Sequence, residues 1–149
     1  MIGRQRKEQM SQQINDFFLR FERANSSTDL TEFSRLYADT FLFGGPNGVQ
    51  VVKKENFLKI LPKMKDHFSS MGLSGTKLQD VEASPLDSKY MLAKVTWRIE
   101  LRNPSCADHV IASATYILAP ENGDAFSIIL QIDHQDLATV VKELQFSQQ

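Results

Sequence analysis

The chain has 149 residues, 42% hydrophobic and 23% charged, with a formal net charge of −1 and a single cysteine, Cys106. These values predict one soluble domain over residues 1–149, ordered over about 6–146, that does not bind nucleic acid, since such binding requires a basic face. The lone cysteine favours a reducing, cytoplasmic location, and no window approaches the ~18 apolar residues that a membrane span requires.

Helical spacing dominates the first part of the chain. Apolar residues recur every three or four positions over roughly Arg6–Ala24, which predicts a first helix with Phe17 and Phe21 on its buried side. Asp29 and, three positions later, Glu32 form a capping box, which predicts the start of a short second helix.

A short hairpin and a third helix are predicted next. Asp39–Phe43 is predicted as a strand and Val49–Val52 as its return partner, because glycines and a proline separate them. Lys53–Ser70 has the apolar spacing of a helix, but Pro62 inside it predicts a kink or a division into two helices. Thr76–Ser84 is predicted as a further strand.

Three consecutive stretches, within Tyr90–Arg102, His109–Ala119 and Phe126–His134, alternate apolar and polar residues. A period of two that is sustained three times is typical of half-buried antiparallel strands. The alternation places Trp97 on the covered face of the sheet and Arg98 on the outer face. A last amphipathic helix is predicted after the third stretch.

The turn between the second and third stretches predicts a register. A three-residue loop within Pro120–Asp124 places Tyr116 opposite Ile128 and Val110 opposite His134, so that apolar residues face apolar residues.

The turn between the first two stretches predicts a second register. Pairing Arg102 with His109 places Trp97 beside Ala114 and Leu101 beside Val110. The concave face of the sheet is then predicted to carry Val95, Trp97, Ile99, Leu101, Tyr116, Leu130, Ile132 and His134.

The order of elements predicts an α+β fold, in which helices pack on the concave face of a strongly curved antiparallel sheet. With this order, Leu36-Tyr37-Ala38-Asp39 and Gly45-Pro46-Asn47-Gly48 resemble the nuclear transport factor 2-like superfamily. That superfamily includes ketosteroid isomerase, scytalone dehydratase and the SnoaL-like polyketide cyclases. The resemblance implies a cone-shaped sheet with a pocket at its open end and, commonly, a homodimer.

Two positions depart from the pattern of ketosteroid isomerase. Gly45 stands before the turn proline, where the isomerase has its catalytic carboxylate, and a glycine cannot take up a proton. The first helix offers Phe17, Phe18 and Phe21 where the isomerase has a tyrosine. We therefore expect no isomerisation by that machinery, and the spacing of the histidines and the cysteine predicts neither a metal site nor a cofactor.

His134, Tyr37 and Asp39 are the candidates for proton transfer. His134 continues the apolar parity of its strand, so we expect it at one end of the concave face, where an imidazole suits acid–base catalysis. Tyr37 and Asp39 would place a hydroxyl and a carboxylate at the pocket mouth. The structural alternatives are a histidine bonded to backbone, a tyrosine packed in the helical stripe and an aspartate that caps a turn.

The candidate ligand-binding residues are Trp97 and Tyr116, with Phe17, Phe21 and Leu101 around them. Aromatic walls favour planar ligands. The alternative is that the same side chains form a plain core.

The outer face of the sheet is predicted to be too apolar for an open surface and too polar for a second core, which is typical of a protein–protein interface. We expect a two-fold homodimer through this face. Its predicted residues are Thr96, Arg98, Ile111, Thr115, Ile117, Ile129 and Gln131.

Three functions follow from these features. In the first, the protein binds a small apolar or aromatic molecule in its pocket. In the second, it is a cyclase, dehydratase or isomerase in which His134 or Asp39 moves a proton and Tyr37 polarises a carbonyl. In the third, it is a non-catalytic interaction module whose hollow is filled by its own side chains.

Overall fold

The structure of the chain, a computed structural model, describes residues 2–102, 108–121, 125–137, 139, 140 and 143, with side chains from residue 8 onwards. Its helices are α1 (Ile2–Ser27), α2 (Leu30–Leu36) and α3 (Lys54–Ser70). Its strands are β1 (Tyr37–Gly45), β2 (Gly48–Lys53), β3 (Leu73–Pro85), β4 (Met91–Leu101), β5 (His109–Pro120) and β6 (Phe126–Asp133). The predicted α+β class and the order of the elements are confirmed.

The helices begin and end where local chemistry allows. The Oδ1 atom of Asp29 accepts a hydrogen bond from the backbone N–H of Glu32 at 3.1 Å, which confirms the predicted cap of α2. α3 runs without a break through Pro62, so the predicted division into two helices does not occur. After β6, Leu137 and Val140 are helical, and the rest of the predicted last helix lies partly outside the described residues.

The corner between α1 and α2 is held by a lysine from α3. Thr28 adopts a left-handed backbone with φ of 52°, which a β-branched side chain adopts only when other contacts hold it there. The Nζ atom of Lys65 donates to the carbonyl of Asn25 at 2.5 Å, to that of Ser26 at 3.1 Å and to Oγ1 of Thr28 at 2.5 Å. The ammonium group of Lys65 therefore bonds two carbonyls that the end of α1 leaves without helical partners.

The six strands form one sheet in the order β2-β1-β6-β5-β4-β3. Neighbouring strands are antiparallel except β1 and β6, which are parallel. The alternation of side chains cannot show this exception, because a period of two is the same for either strand direction.

The predicted orientation of β4 is confirmed. Trp97 is buried against the helices, whereas the side chain of Arg98 is half-exposed on the other face. The register with β5 differs by two residues from the prediction, because Trp97 pairs with Ala112 and Ile99 pairs with Val110. A shift of two keeps each side chain on its predicted face. Leu101 was predicted beside Val110, but Val110 pairs with Ile99, and Leu101 pairs with Leu73 on the other neighbouring strand, β3.

The predicted pairing of β5 with β6 is wrong. Pro120 pairs with Phe126, but an extra residue, Ile129, forms a bulge, and beyond it Tyr116 pairs with Gln131. A bulge reverses the parity of the strand that follows it. The partner of Tyr116 is therefore Gln131 in place of Ile128, a displacement of two residues at the turn and one more at the bulge. The described pairing of β5 with β6 ends at Ala114, short of Val110, and residues 122–124 of the predicted turn lie outside the described residues.

The helices cover the concave face with aromatic side chains. Phe17 and Phe18 of α1 are fully buried. The ring of Phe18 lies 4.8 Å from that of Tyr116 and 6.3 Å from that of Trp97, and the ring of Phe21 lies 5.3 Å from that of Trp97. These contacts define the core between α1 and the middle of the sheet.

Candidate functional site

A chain of three hydrogen-bonded side chains crosses the concave face, and we call it the polar chain. The hydroxyl of Tyr37 donates to Oε1 of Gln131 at 2.6 Å, and Nε2 of Gln131 donates to Oδ1 of Asp133 at 3.0 Å. Tyr37 is 2% exposed and Gln131 is 7% exposed. Buried polar groups are costly without partners. The hydrogen bonds within the polar chain supply those partners for Tyr37 and Gln131.

The bulge in β6 brings the polar chain together. Because Ile129 is the extra residue, Gln131 and Asp133 point to the concave face, where a regular strand would have placed Leu130 and Ile132. Tyr37 enters from the start of β1, directly after α2.

Tyr116 lies beside the polar chain. It pairs with Gln131 across β5 and β6, and its hydroxyl accepts a hydrogen bond from Nε1 of Trp97 at 3.3 Å. The adjacent position on β5, Ala114, pairs with Asp133. Asp133 thus lies near the hydroxyl of Tyr116 and opposite the small side chain of Ala114.

Burial determines the protonation state of Tyr37 and Tyr116. It raises the pKa of Tyr37, and the nearby Tyr116 and Asp133 raise it further. Burial and Asp133 also raise the pKa of Tyr116, although the hydrogen bond from Trp97 opposes the shift. Both tyrosines therefore keep their protons at neutral pH. Tyr37 donates its proton to Gln131, whereas the hydroxyl of Tyr116 accepts from Trp97.

Asp133 is the residue of the polar chain whose protonation responds most readily to pH. Burial raises the pKa of its carboxyl group, against the opposing effects of the hydrogen bond from Gln131 and the charge of His134. A carboxyl group whose pKa is raised by burial holds a proton more readily than one in water. It can therefore accept or donate a hydrogen bond, depending on pH.

The predicted ligand-binding residues contact one another. Trp97, Tyr116 and Phe17 are buried, and Phe21 and Leu101 are half-buried against the same core. In this part of the cone the aromatic side chains fill the space between α1 and the sheet, as the third hypothesis from the sequence requires.

His134 lies away from the concave face, contrary to the prediction. It is exposed, and its Nε2 atom lies 2.7 Å from Oγ1 of Thr115 on the outer face. Its backbone N–H donates to the carbonyl of Ser113 at 3.0 Å. The bulge explains the error, because it turns every side chain after Ile129 to the opposite face from the predicted one.

Asp39 and Tyr37 do not share a site. The side chain of Asp39 is 97% exposed, and its Oδ1 atom lies 3.2 Å from Nζ of Lys54. The same ammonium donates to the carbonyls of Ser34 and Tyr37 at 2.8 and 3.1 Å, at the end of α2. Lys54 thus stabilises the end of α2, and Asp39 contacts that ammonium, whereas the hydroxyl of Tyr37 lies in the core.

One residue predicted on the outer face, Gln131, lies on the concave face, again because of the bulge. Of the remaining predicted interface residues, Ile129 is the bulge residue, and the others lie opposite the helices: Thr96, Arg98, Ile111, Thr115 and Ile117. Arg98 is bonded to Glu100 at 3.1 Å, so its charge is balanced within the chain.

The outer face also carries apolar residues that were not predicted there. Together with the predicted Ile111 and Ile117 they form a surface that we call the outer patch. Ile117 pairs with Leu130, Leu130 with Leu42, and Leu42 with Val51, so one apolar row crosses four strands. The outer patch comprises Leu42, Val49, Val51, Ile111, Ile117, Leu130 and Ile132, of which Val49 and Val51 are 64% and 71% exposed. The alternation of residues within Gly48–Lys53 could have predicted that Val49 and Val51 share one face. The outward orientation of Leu130 and Ile132 was not predictable from alternation, because the bulge reverses it.

A separate cleft of about 300 Å³ opens at the corner of α1 and α2. Its lining is formed by Arg20, Arg23, Ala24, Ser27, Asp29 and Glu32. The carboxylate of Asp29 caps α2, and that of Glu32 lies 3.3 Å from Arg35. The two carboxylates of the cleft therefore already have partners within the chain.

The described part of the chain contains neither a metal-binding cluster nor a helix that could span a membrane. There, histidine, cysteine and acidic side chains form no group of three that could hold a metal ion. Among the described residues, no helix is both long enough and apolar enough to cross a bilayer.

Comparison with known proteins identifies the fold. No protein-family model matches the sequence, and no curated protein matches it significantly. Solved structures do match. An NTF2-like protein with a cystatin-like fold from Novosphingobium aromaticivorans superposes with a TM-score of 0.71 at 9% identity, over 94% of this chain and 93% of that one. The chain has the nuclear transport factor 2-like (NTF2-like) fold.

Two further structures agree with the NTF2-like fold. A protein of unknown function with a cystatin-like fold from Nostoc punctiforme has a TM-score of 0.66 at 15% identity, over 85% of this chain and 90% of that one. An NTF2-like protein from Cytophaga hutchinsonii has a TM-score of 0.60 at 16% identity, over 81% and 93%. At such identities the likeness concerns the NTF2-like fold alone, and function has to be argued from the site.

Proposed function

We propose that the protein is a homodimer that binds a small, mostly apolar molecule carrying one hydroxyl or carbonyl group, next to Asp133 on the concave face. The polar chain is the observation that carries this proposal. An apolar core would pack without the cost of desolvating the hydroxyl of Tyr37, the amide of Gln131 and the carboxyl group of Asp133, so a role beyond packing would explain why these groups lie there.

The chemistry of Tyr116 and Asp133 fits a single polar group on the ligand. Among the described residues, the hydroxyl of Tyr116 receives a hydrogen bond from Trp97, which leaves its own proton for an acceptor. Asp133 receives one from Gln131 and has a second oxygen. A ligand hydroxyl can accept from Tyr116 and donate to Asp133, and to do so the ligand would have to displace part of the aromatic packing around them.

Proton transfer is the second candidate function. The observation that favours it is the raised pKa of Asp133 in a core that also contains Tyr37 and Tyr116, an arrangement that is common where acids and bases act. In this function Asp133 takes the role first assigned to His134 or Asp39, whose side chains are exposed.

The homodimer is proposed through the outer patch, and its partner is a second copy of the chain. The patch is apolar over four strands and extends to exposed valines of β2. Arg98, at its border, is already paired with Glu100. Association of two copies about a two-fold axis would bury this apolar surface.

Two probes of the same shape test the binding proposal. p-Cresol and p-xylene differ by a hydroxyl in place of a methyl group, and calorimetry or NMR titration of the purified protein compares them. We expect p-cresol to bind at least tenfold more tightly, because a site built for a hydroxyl is left with unpaired groups by the hydrocarbon. Native mass spectrometry of freshly purified protein identifies any ligand that is retained.

Variants locate the site. Asp133→Leu should abolish the preference for p-cresol, whereas Asp66→Leu, at an exposed aspartate of α3, should leave it unchanged. Equal binding of the two probes, or a preference that survives Asp133→Leu, would contradict the proposal. Absence of any bound molecule would instead favour the interaction module.

A further inference from the structure

The cleft of about 300 Å³ between α1 and α2, which we call the corner cleft, is lined by charged side chains from both helices. Arg20, Arg23 and Ser27 follow one another at spacings of three and four, so they lie along one flank of α1. Ala24, in the same row, is buried and contributes only a methyl group, which leaves the space beside it open. The remaining lining residues, Asp29 and Glu32, come from the start of α2.

The two walls of the corner cleft are held in place by hydrogen bonds. The backbone N–H of Asp29 donates to the carbonyl of Ala24 at 3.0 Å, which closes the turn between the helices. From α3, Nζ of Lys65 donates to the carbonyls of Asn25 and Ser26. A cleft with fixed walls binds a ligand at a smaller entropic cost than one that must first be ordered.

The two carboxylates of the corner cleft are each bonded through one oxygen. Oδ1 of Asp29 accepts from the backbone N–H of Glu32, and Oε2 of Glu32 lies 3.3 Å from Arg35. The other oxygens, Oδ2 of Asp29 and Oε1 of Glu32, receive no hydrogen bond from the described residues. Each carboxylate can therefore accept one more hydrogen bond.

The two arginines of the corner cleft differ from the carboxylates. Among the residues whose side chains the structure describes, neither Arg20 nor Arg23 forms an ion pair. Asp16, four positions before Arg20, is bonded to Gln12 instead. The Cζ atom of Arg20 lies 5.7 Å from the ring centre of Phe17, a contact that leaves the N–H groups of the guanidinium available.

These two sets of groups suit different parts of one ligand. A guanidinium is a planar fork that binds phosphate or carboxylate oxygens through two parallel hydrogen bonds. Two forks match the two charges and three oxygens of a phosphate monoester better than the single charge of a carboxylate. The free carboxylate oxygens repel a second anionic group but accept hydrogen bonds from hydroxyls. The volume is at the lower end of the range for small-molecule sites, so the ligand must be small.

We propose that the corner cleft is a second binding site, which takes a small phosphate monoester carrying hydroxyl groups. Arg20 and Arg23 bind the phosphate, and the free oxygens of Asp29 and Glu32 accept hydrogen bonds from the hydroxyls. This site goes beyond the proposed function, because it shares no residue with the polar chain or with the outer patch.

Calorimetric titration of the purified full chain with glycerol 3-phosphate tests the site. The comparison ligands are inorganic phosphate, which lacks the polyol, glycerol, which lacks the phosphate, and glycerate, which carries a carboxylate instead. We expect glycerol 3-phosphate to bind about tenfold or more tightly than each of them. Because the arginines are exposed at the rim, added salt should weaken the binding.

Variants locate the phosphate. Arg20→Gln and Arg23→Gln each remove one fork and should weaken the binding of glycerol 3-phosphate about tenfold or more. Lys59→Gln is the matched control, since it removes one positive charge at an exposed position of α3 outside the cleft, and it should leave the affinity unchanged. In the wild-type protein, the Nε–Hε NMR signals of both arginines should shift on binding.

A variant of Asp29 tests the hydroxyl half of the site. Asp29→Ser keeps a side-chain oxygen that can cap α2 but removes the carboxylate. The advantage of glycerol 3-phosphate over inorganic phosphate should therefore fall severalfold. An advantage that Asp29→Ser leaves unchanged would contradict the role of this carboxylate.

The remaining outcomes each decide a separate point. Absence of binding, or a loss in Lys59→Gln as large as in the arginine variants, would overturn the site. Glycerate that binds as tightly as glycerol 3-phosphate would overturn the assignment of a phosphate. Saturating p-cresol should not displace glycerol 3-phosphate, because the polar chain and the corner cleft share no residue, and competition between the two probes would contradict a second site.

Discussion

Tyr116 lies opposite Gln131 in the sheet, because Ile129 is an extra residue in β6. This pairing puts a glutamine where the alternation of the strand predicts an apolar side chain. It also brings the amide within 2.6 Å of the hydroxyl of Tyr37, a residue 94 positions away in the sequence. The polar chain, the exposed position of His134 and the extent of the outer patch all follow from this one irregularity.

The bond between Tyr37 and Gln131 should contribute measurably to stability. Tyr37→Phe removes the donor and leaves a buried amide oxygen without its partner, which costs about 1–3 kcal/mol of the free energy of unfolding. Denaturant titration followed by the fluorescence of Trp97, the single tryptophan, measures this. Tyr90→Phe, at a surface tyrosine, is the control. Equal losses in the two variants would show that the buried bond contributes nothing.

Asp133 should make stability depend on pH with a definite sign. Because burial raises its folded-state pKa above the unfolded value, its contribution is fully present below the unfolded pKa of about 3.9 and is lost as the pH rises through the folded value. Relative to Asp133→Asn, the wild-type protein should therefore become progressively less stable as the pH is raised from about 4.

Thermal unfolding of both proteins at several pH values measures this difference. Asp66→Asn, at an exposed position, provides the baseline for loss of one carboxylate. A difference between wild type and Asp133→Asn that does not change with pH, or that grows in favour of the wild type as pH rises, would contradict the assignment.

A charge in the outer patch should separate the proposed dimer. Ile117→Asp places a carboxylate beside Leu130, where burial against a partner would strand it without a counter-charge. Sedimentation should then show a monomer, whereas Ile60→Asp, the same change at an exposed position of α3, should leave the dimer intact. A dimer that persists in Ile117→Asp would refute the placement of the interface.

Lys65 should stabilise the corner between α1 and α2. Lys65→Met keeps much of the side-chain length but removes three hydrogen bonds, those to the carbonyls of Asn25 and Ser26 and to Thr28. We expect a loss of about 1–3 kcal/mol in the free energy of unfolding, because three partly exposed acceptors lose a charged donor. Lys63→Met, at an exposed position of the same helix, should cost far less when both are measured by denaturant titration.

The sequence alone determined those features that repeat locally. The helical spacing of Phe17 and Phe21, the cap at Asp29 and the orientation of Trp97 and Arg98 in β4 were predictable, because each depends on residues a few positions apart. The order of these elements, together with the short motifs around Tyr37 and the glycine turn, was enough to predict the NTF2-like fold that the structural comparisons support.

Only the tertiary structure decided the parallel pairing of β1 with β6, the bulge at Ile129 and therefore the composition of the candidate site. The alternation within β6 favours the opposite placement of Gln131 and Asp133. It is outweighed by contacts with Tyr37 and Leu42, which are remote in the chain and leave no periodic signal in the sequence. A register is a property of two strands and their surroundings, so neither strand's sequence contains it alone.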